Sequence, residues 1–178
     1  MKKSFITLLF LFTFLSMLFK TASAVDVCEK DLELYKNELA AVNVFSNPVK
    51  ELYITDSEAY LMAQVVYGES GAEPYIGKVA VASVIINRVK DSRFPKTVEG
   101  VIKQKNAFSC VKNGKIGSIP DEASYRAVLD ALKGQDPTDR AVFFYNPRTA
   151  TSTWMKNIGK KNIKNIGNHS FFVVNQNP

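Results

Sequence analysis

The sequence predicts an α+β domain, mostly helical around one buried central helix and completed by a small antiparallel β ribbon. Three observations lead there. Residues 74–90 are apolar on nearly every side, as in a helix enclosed by its neighbours. The segments around them carry one-sided apolar stripes at helical spacing. Two short runs rich in Phe and Val, 141–145 and 170–174, have the length and composition of strands. With 178 residues, 46% of them hydrophobic and 22% charged, the chain can fill one core. Those proportions exclude a disordered chain and a collagen-like repeat, and two cysteines exclude a disulfide-dense scaffold.

Residues 1–24 read as a signal peptide. Lys2 and Lys3 precede the apolar-rich run Phe5–Phe19, and Thr21-Ala22-Ser23-Ala24 supplies the small residues a signal peptidase recognises, so cleavage is expected after Ala24. The run is shorter than the roughly 20 residues a spanning helix needs, so no stable membrane span is expected after cleavage. Val25-Asp26-Val27 lacks the small residue that precedes a lipidated cysteine, so Cys28 is not expected to carry lipid. Cleavage removes Lys2, Lys3 and Lys20 and no acid, which brings the formal charge from +6 to +3.

The remaining charge is unevenly spread. Acids crowd the start of the mature chain, and none follows Asp139. The last stretch carries Arg140, Arg148, Lys156, Lys160, Lys161 and Lys164, a basic end able to meet a polyanion. For each lysine separately, a solvated face is the plain alternative. Export also allows Cys28 and Cys110 to pair, a bridge that would contribute roughly 4 kcal/mol in the chain-entropy account. Two cysteines and one histidine do not build a zinc site, so neither a metal nor a cofactor is expected.

Residues 25–50 are expected to hold a lead-in helix, with Leu32, Tyr35, Leu39 and Val42 at helical spacing over 29–45, stopped before Asn47-Pro48. Residues 51–178 hold the domain proper. Thr55-Asp56-Ser57-Glu58 is a capping box, and the helix it opens carries Leu61, Met62, Val65 and Val66 on one stripe. Gly68 and Gly71 loosen the chain, and Pro74 suits the first turn of the central helix, which runs to about Lys90. Phe94-Pro95 ends it. A short helix over Thr97–Gln104 points Val98, Val101 and Ile102 inward, and Asn106–Gly117 is expected to be loop around Asn113-Gly114. Pro120-Asp121-Glu122 starts a further helix that buries Ala123, Ala127, Val128, Ala131 and Leu132 before Gly134 closes it. The two strand-like runs then pair around a basic, Asn-rich loop.

Glu69 is the first candidate for chemistry. It lies three residues after Val66, four after Val65 and seven after Met62, so it prolongs an apolar stripe. A carboxyl placed there sits against the core or at a cleft wall, where lost solvation favours the protonated form of an acid. Gly68 and Gly71 would leave backbone room for a ligand. The alternative is a helix-end carboxylate bonded to nearby amides. Glu73 follows at i+4, but Gly71 and Pro74 turn the chain between the two, and periodicity favours Glu73 as a cap of the central helix.

Glycosidic cleavage ordinarily takes two carboxylates, and no second member stands out. One acid suffices where the substrate supplies its own nucleophile. Tyr145-Asn146, Trp154 and Asn168-His169 suit a sugar groove, because aromatic faces stack on pyranose rings and amides match vicinal hydroxyls. Among Phe143, Phe144, Phe171 and Phe172, core residues are expected, and His169 has bonding to a backbone carbonyl as its plain role. No G-x-S-x-G accompanies that histidine. A Cys110–His169 nucleophilic pair is disfavoured by export and by the competing disulfide.

Taken together, these residues resemble the SleB/CwlJ-like cell-wall hydrolase family. The likeness is carried by Tyr67-Gly68-Glu69-Ser70-Gly71-Ala72-Glu73-Pro74 and by Gly77 to Val89. It continues through Phe94-Pro95-Lys96-Thr97-Val98, Val101-Ile102, Ala107-Phe108-Ser109, Phe144-Tyr145-Asn146-Pro147 and Gly167-Asn168-His169, covering about residues 57–174. The resemblance implies a lysozyme-related fold acting on the glycan strands of peptidoglycan. It implies Glu69 as the catalytic acid and, as in the spore-cortex members, a lytic transglycosylase in which the muramic acid C6 hydroxyl closes an anhydro ring. A water-using muramidase or glucosaminidase and a catalytically silent peptidoglycan-binding domain are the alternatives. Glu73, Phe108, Tyr145, Asn146, Trp154 and His169 are the substrate-binding candidates; all but Trp154 fall in shared blocks. The partner implied is peptidoglycan, not nucleic acid, and the basic end would offer weak attachment to anionic wall polymers. Where many members read Arg-Gly between the two glutamates, this chain reads Gly71-Ala72.

Overall fold

The computed structural model describes residues 54–174. The expected signal peptide, the lead-in helix over 25–50 and the Cys28 side of the expected disulfide lie outside the described residues. The first helix, α1 (Asp56–Ser70), opens on the predicted capping box: the Glu58 amide donates to Thr55 Oγ1 at 3.3 Å, and the Thr55 amide to Glu58 Oε2 at 3.1 Å. Met62, Val65 and Val66 are buried as expected, whereas Leu61 is half-buried. After the turn 71–74 comes α2 (Tyr75–Lys90), in which every residue from Gly77 to Ile86 is buried. It packs against α1 and against α3 (Val98–Ile102) and α4 (Glu122–Leu132), so it is the central helix the sequence predicts.

Two polar side chains of α2 tie neighbouring segments to the core. Lys78 of α2 is buried, and its Nζ donates to the carbonyls of Ser70 and Gly71, both at 3.0 Å, closing the end of α1 that has no basic residue of its own. At the other end of α2, Asn87 Nδ2 donates to Asp136 Oδ2 at 2.9 Å and to the Ala141 carbonyl at 3.1 Å, tying the 136–141 loop down. Helix α4 buries Ser124, Ala127, Val128, Leu129 and Ala131, while the expected Ala123 and Leu132 stay half-buried. Ser124 can turn inward because its hydroxyl is satisfied by the cap residue Asp121, at 2.5 Å. Gly134 leaves the helix at φ +96, a conformation suited to glycine.

The expected loop over Asn106–Gly117 contains a small hairpin, β1 (Val111–Lys112) with β2 (Lys115–Ile116). Asn113 and Gly114 both have positive φ (52 and 72), so the Asn-Gly pair makes the tight turn whose twist suits paired strands. The two C-terminal runs do pair, as β3 (Phe143–Tyr145) and β5 (His169–Val174), antiparallel with Phe143 opposite Phe172 and Tyr145 opposite Ser170. The connection between them is not a loop. It carries α5 (Thr153–Asn157) and a third strand, β4 (Lys160–Ile166), giving the order β3–β5–β4. This edge strand is mostly exposed and shifts register between Lys161 and Lys164, a lysine-bearing irregular edge that discourages pairing with other chains. Phe171 and Phe172 are fully buried, with Phe144 stacked on the first at 5.5 Å and Phe143 on the second at 5.7 Å.

Candidate active site

Glu69 lies in the last turn of α1, half-buried. Its Oε1 accepts from Ser109 Oγ at 3.0 Å and from the Cys110 amide at 2.8 Å. Its Oε2 has no hydrogen-bond partner among the described residues. The segment before the β1–β2 hairpin thus holds one oxygen of the carboxylate and leaves the other available. The Cys110 thiol sits beside Glu69; burial first, then the nearby carboxylate, push its pKa up to about 12. A thiol held protonated is a poor nucleophile. Cys110 and His169 share no bond, so the structure does not assemble the Cys–His pair.

The glycines beside Glu69 do a different job from the expected one. A Cβ on Gly68 would lie 2.6 Å from Cys110 Cβ and 3.0 Å from its Sγ. The space is taken by the chain that binds Glu69, not left for a ligand. A Cβ on Gly71 would lie 2.8 Å from the Tyr67 carbonyl oxygen.

Glu73 goes elsewhere. The N-cap of α2 is Pro74 with no side-chain cap bond, so Glu73 does not cap the helix as periodicity suggested. Its side chain, 8% exposed, turns to the β4–β5 hairpin, where Oε2 accepts from the Asn168 amide at 2.8 Å and Oε1 from Asn168 Nδ2 at 3.0 Å. Burial works against its charge, but the two Asn168 bonds, with His169 and Arg148 nearby, hold its pKa below the ordinary value. His169 stands edge-on to Phe144 at 5.4 Å, with Nδ1 buried, 3.8 Å from Glu73 Oε1 and without a hydrogen bond. The backbone carbonyl that was its plain expected partner is not there.

The other candidates take distinct places. Phe108 is buried, its ring 6.3 Å from that of Phe144. Tyr145 on β3 meets Phe172 edge-on, with Lys160 Nζ 5.3 Å from its ring centre. Asn146 folds its side chain back to accept from the Arg148 amide at 2.9 Å. Trp154 on α5 is 51% exposed and lies edge-on to Phe143 at 5.5 Å. Trp154, Phe143 and Phe144 line a cavity of about 560 Å³ that also takes in Arg88, Phe94, Ala107, Lys105 and Asn106. Glu69 is not in its lining. The two are joined by residues 107–110, where Ala107 walls the cavity and Ser109 and Cys110 bond Glu69.

Arg88 is the residue that sequence reasoning passed over. It is 5% exposed, its Nε donates to the Val142 carbonyl at 2.8 Å, and its guanidinium lies 4.9 Å from the Phe108 ring and 5.4 Å from that of Phe94. Burial lowers its pKa to about 10, against the pull of the Glu69 carboxylate. The available signal was a permanent cation in a helix apolar all round. Ser109 and Cys110 carried no comparable signal, since they reach Glu69 only through the fold.

The sequence profile of the Cell Wall Hydrolase family matches residues 72–172. The chain belongs to this family. Glu69 stands just before the matched span. Among its fellow cell wall hydrolases, the spore cortex-lytic enzyme of Halalkalibacterium halodurans is 51% identical over 117 residues, 66% of this chain and 35% of that protein. The enzyme of the same description from Bacillus subtilis is 46% identical over the same length, covering 38% of that protein. The chain therefore spans well under half of these two relatives. Among solved structures, the catalytic domain of the germination-specific lytic transglycosylase SleB from Bacillus anthracis matches at TM-score 0.63 and 47% identity, over 70% of this chain and all of that one. The Bacillus cereus SleB catalytic domain matches at TM-score 0.62 and 46% identity, over 73% of this chain and 99% of that one. The cell wall hydrolase described here has the lysozyme-like α+β fold of those domains.

Proposed function

We propose that the protein is an exported enzyme that cleaves the glycan strands of peptidoglycan as a lytic transglycosylase, with Glu69 as its one acid–base group. The observation that carries this reading is a carboxylate anchored through Oε1 alone, its Oε2 open, while the neighbouring Glu73 is fastened on both oxygens. Protonated Glu69 gives its proton to the glycosidic oxygen as the bond to muramic acid C1 breaks. The resulting carboxylate takes the proton of the C6 hydroxyl as that oxygen closes on C1. One bond breaks, one forms, the proton returns to Glu69, and no water is consumed. The absence of a second carboxylate bonded near Glu69 among the described residues favours this over a water-using muramidase, which would need a second group to activate the water.

Digestion of purified sacculi followed by mass spectrometry separates the readings. Anhydro-muropeptides are expected. Products with reducing ends would make the enzyme a hydrolase, and unchanged sacculi with protein retained on them would make it a binding domain.

A further inference from the structure

The cavity beside Arg88 carries an inference that rests on the glycan-cleaving reading and adds a substrate contact to it. Arg88 is almost wholly buried, yet among the described residues its only hydrogen bond runs from Nε to the Val142 carbonyl. The two Nη nitrogens have no hydrogen-bond partner among the described residues, and no carboxylate lies within ion-pair distance of them. Rings of Phe94, Phe108 and Phe143 surround the group, and Glu69 acts on it only at longer range. A mostly buried guanidinium whose remaining donors open onto a cavity is a ready site for an anion. The side chain lines the cavity of about 560 Å³, a size that takes a small ligand, with Trp154 on the wall and the exposed Lys105 as a second cation.

We infer that this cavity is a subsite for a carboxylate of the peptide stem that hangs from the glycan strand, anchored by the Arg88 fork. A planar guanidinium matches a carboxylate through two parallel hydrogen bonds, which neutral sugar hydroxyls do not replace as a counter-charge. The lactyl carboxyl of muramic acid is consumed in its amide to the stem, so the free carboxylates near a strand belong to the stem itself. Residues 107–110 wall the cavity at one end and hold Glu69 at the other. A stem seated on Arg88 would therefore fix its sugar relative to the acid, and cleavage would depend on which stems are present.

The test starts from the substrate, so that folding of a variant cannot confuse it. Binding of a soluble glucosaminyl-muramyl peptide, which has no muramyl–glucosaminyl bond to cut, is measured by calorimetry with stem carboxylates free and with them converted to amides. The free acid is expected to bind about tenfold more tightly. Lys105→Ala should lower that preference a few-fold, and Arg88→Gln, where its melting curve shows it folded, should abolish it. Equal affinity for acid and amide in the wild-type protein overturns the subsite. Sacculi cut equally well before and after amide conversion overturn it too, and leave the cleavage reading standing. Sacculi left uncut in both forms, with the acid preference intact, sink the cleavage reading and leave the subsite.

Discussion

Glu69 and Glu73 are four residues apart, and the fold gives them opposite surroundings. Glu69 ends α1 and is held through one oxygen by a neighbouring segment. Glu73 has swung out of the helix line and is held through both oxygens by Asn168, 95 residues further on. The turn between them makes the difference: α1 stops at Ser70, and Lys78 gathers the carbonyls of Ser70 and Gly71. A carboxylate bonded on one oxygen keeps the other for a substrate. One bonded on both is a fastener, here between the α1–α2 turn and the sheet. The two should therefore fail differently when altered.

The largest effect should come from Glu69→Gln. The amide oxygen can still accept from Ser109 and Cys110, so the fold should hold, but the proton donor is gone. Loss of general acid catalysis is worth roughly 10²–10⁴-fold, read as muropeptide release against a melting curve that stays near wild type. Cleavage that survives in a folded Gln variant would move the acid elsewhere.

Gly167→Ala attacks the other side of the comparison. Gly167 has φ +58, and a Cβ there would lie 1.9 Å from Glu73 Oε2, so the hairpin must shift or the carboxylate must let go of Asn168. Backbone strain together with a lost buried bond should cost about 2–4 kcal/mol. Chemical denaturation measures it, and the wild-type midpoint in the Ala variant would mean the fastener is not closed in solution.

Glu73→Gln should cost less, about 1–2 kcal/mol at neutral pH, because one of two acceptors becomes a donor facing Asn168. Its pH dependence gives a sign. Glu73 titrates below its ordinary value of 4.5 in the folded protein, so its contribution is complete above the unfolded value and is lost as pH falls through the folded one. The stability gap between wild type and Glu73→Gln should therefore be full at pH 7 and shrink below about pH 4. A gap that stays constant into acid would mean the charge of Glu73 contributes nothing.

The contrast also marks what the sequence could disclose. The cap of α1, the enclosure of α2 and the pairing of β3 with β5 were legible because each depends on neighbours along the chain or on plain apolar periodicity. Glu69 was legible as a carboxylate continuing an apolar stripe. Its partners Ser109 and Cys110 were not, since nothing local distinguishes a serine that meets a glutamate 40 residues back. The same holds for Glu73, whose helical spacing suggested a cap while Asn168 decided otherwise. Strand β4 was hidden by Lys160, Lys161 and Lys164, because an edge strand needs no apolar face and reads as a basic loop.

The smallest effect should be that of Cys110→Ala, and it tests which atom of that residue matters. The backbone amide that holds Glu69 Oε1 survives the change, while the thiol beside the carboxylate disappears. A thiol with a pKa of about 12 contributes almost no thiolate at neutral pH, so it can serve neither as nucleophile nor as counter-charge. Cleavage should fall by no more than about threefold, the scale of one weak hydrogen bond. A loss comparable to that of Glu69→Gln would show that the thiol, not the amide, sets the position of the acid, and the one-oxygen anchor would then lose its claim as the feature that separates Glu69 from Glu73.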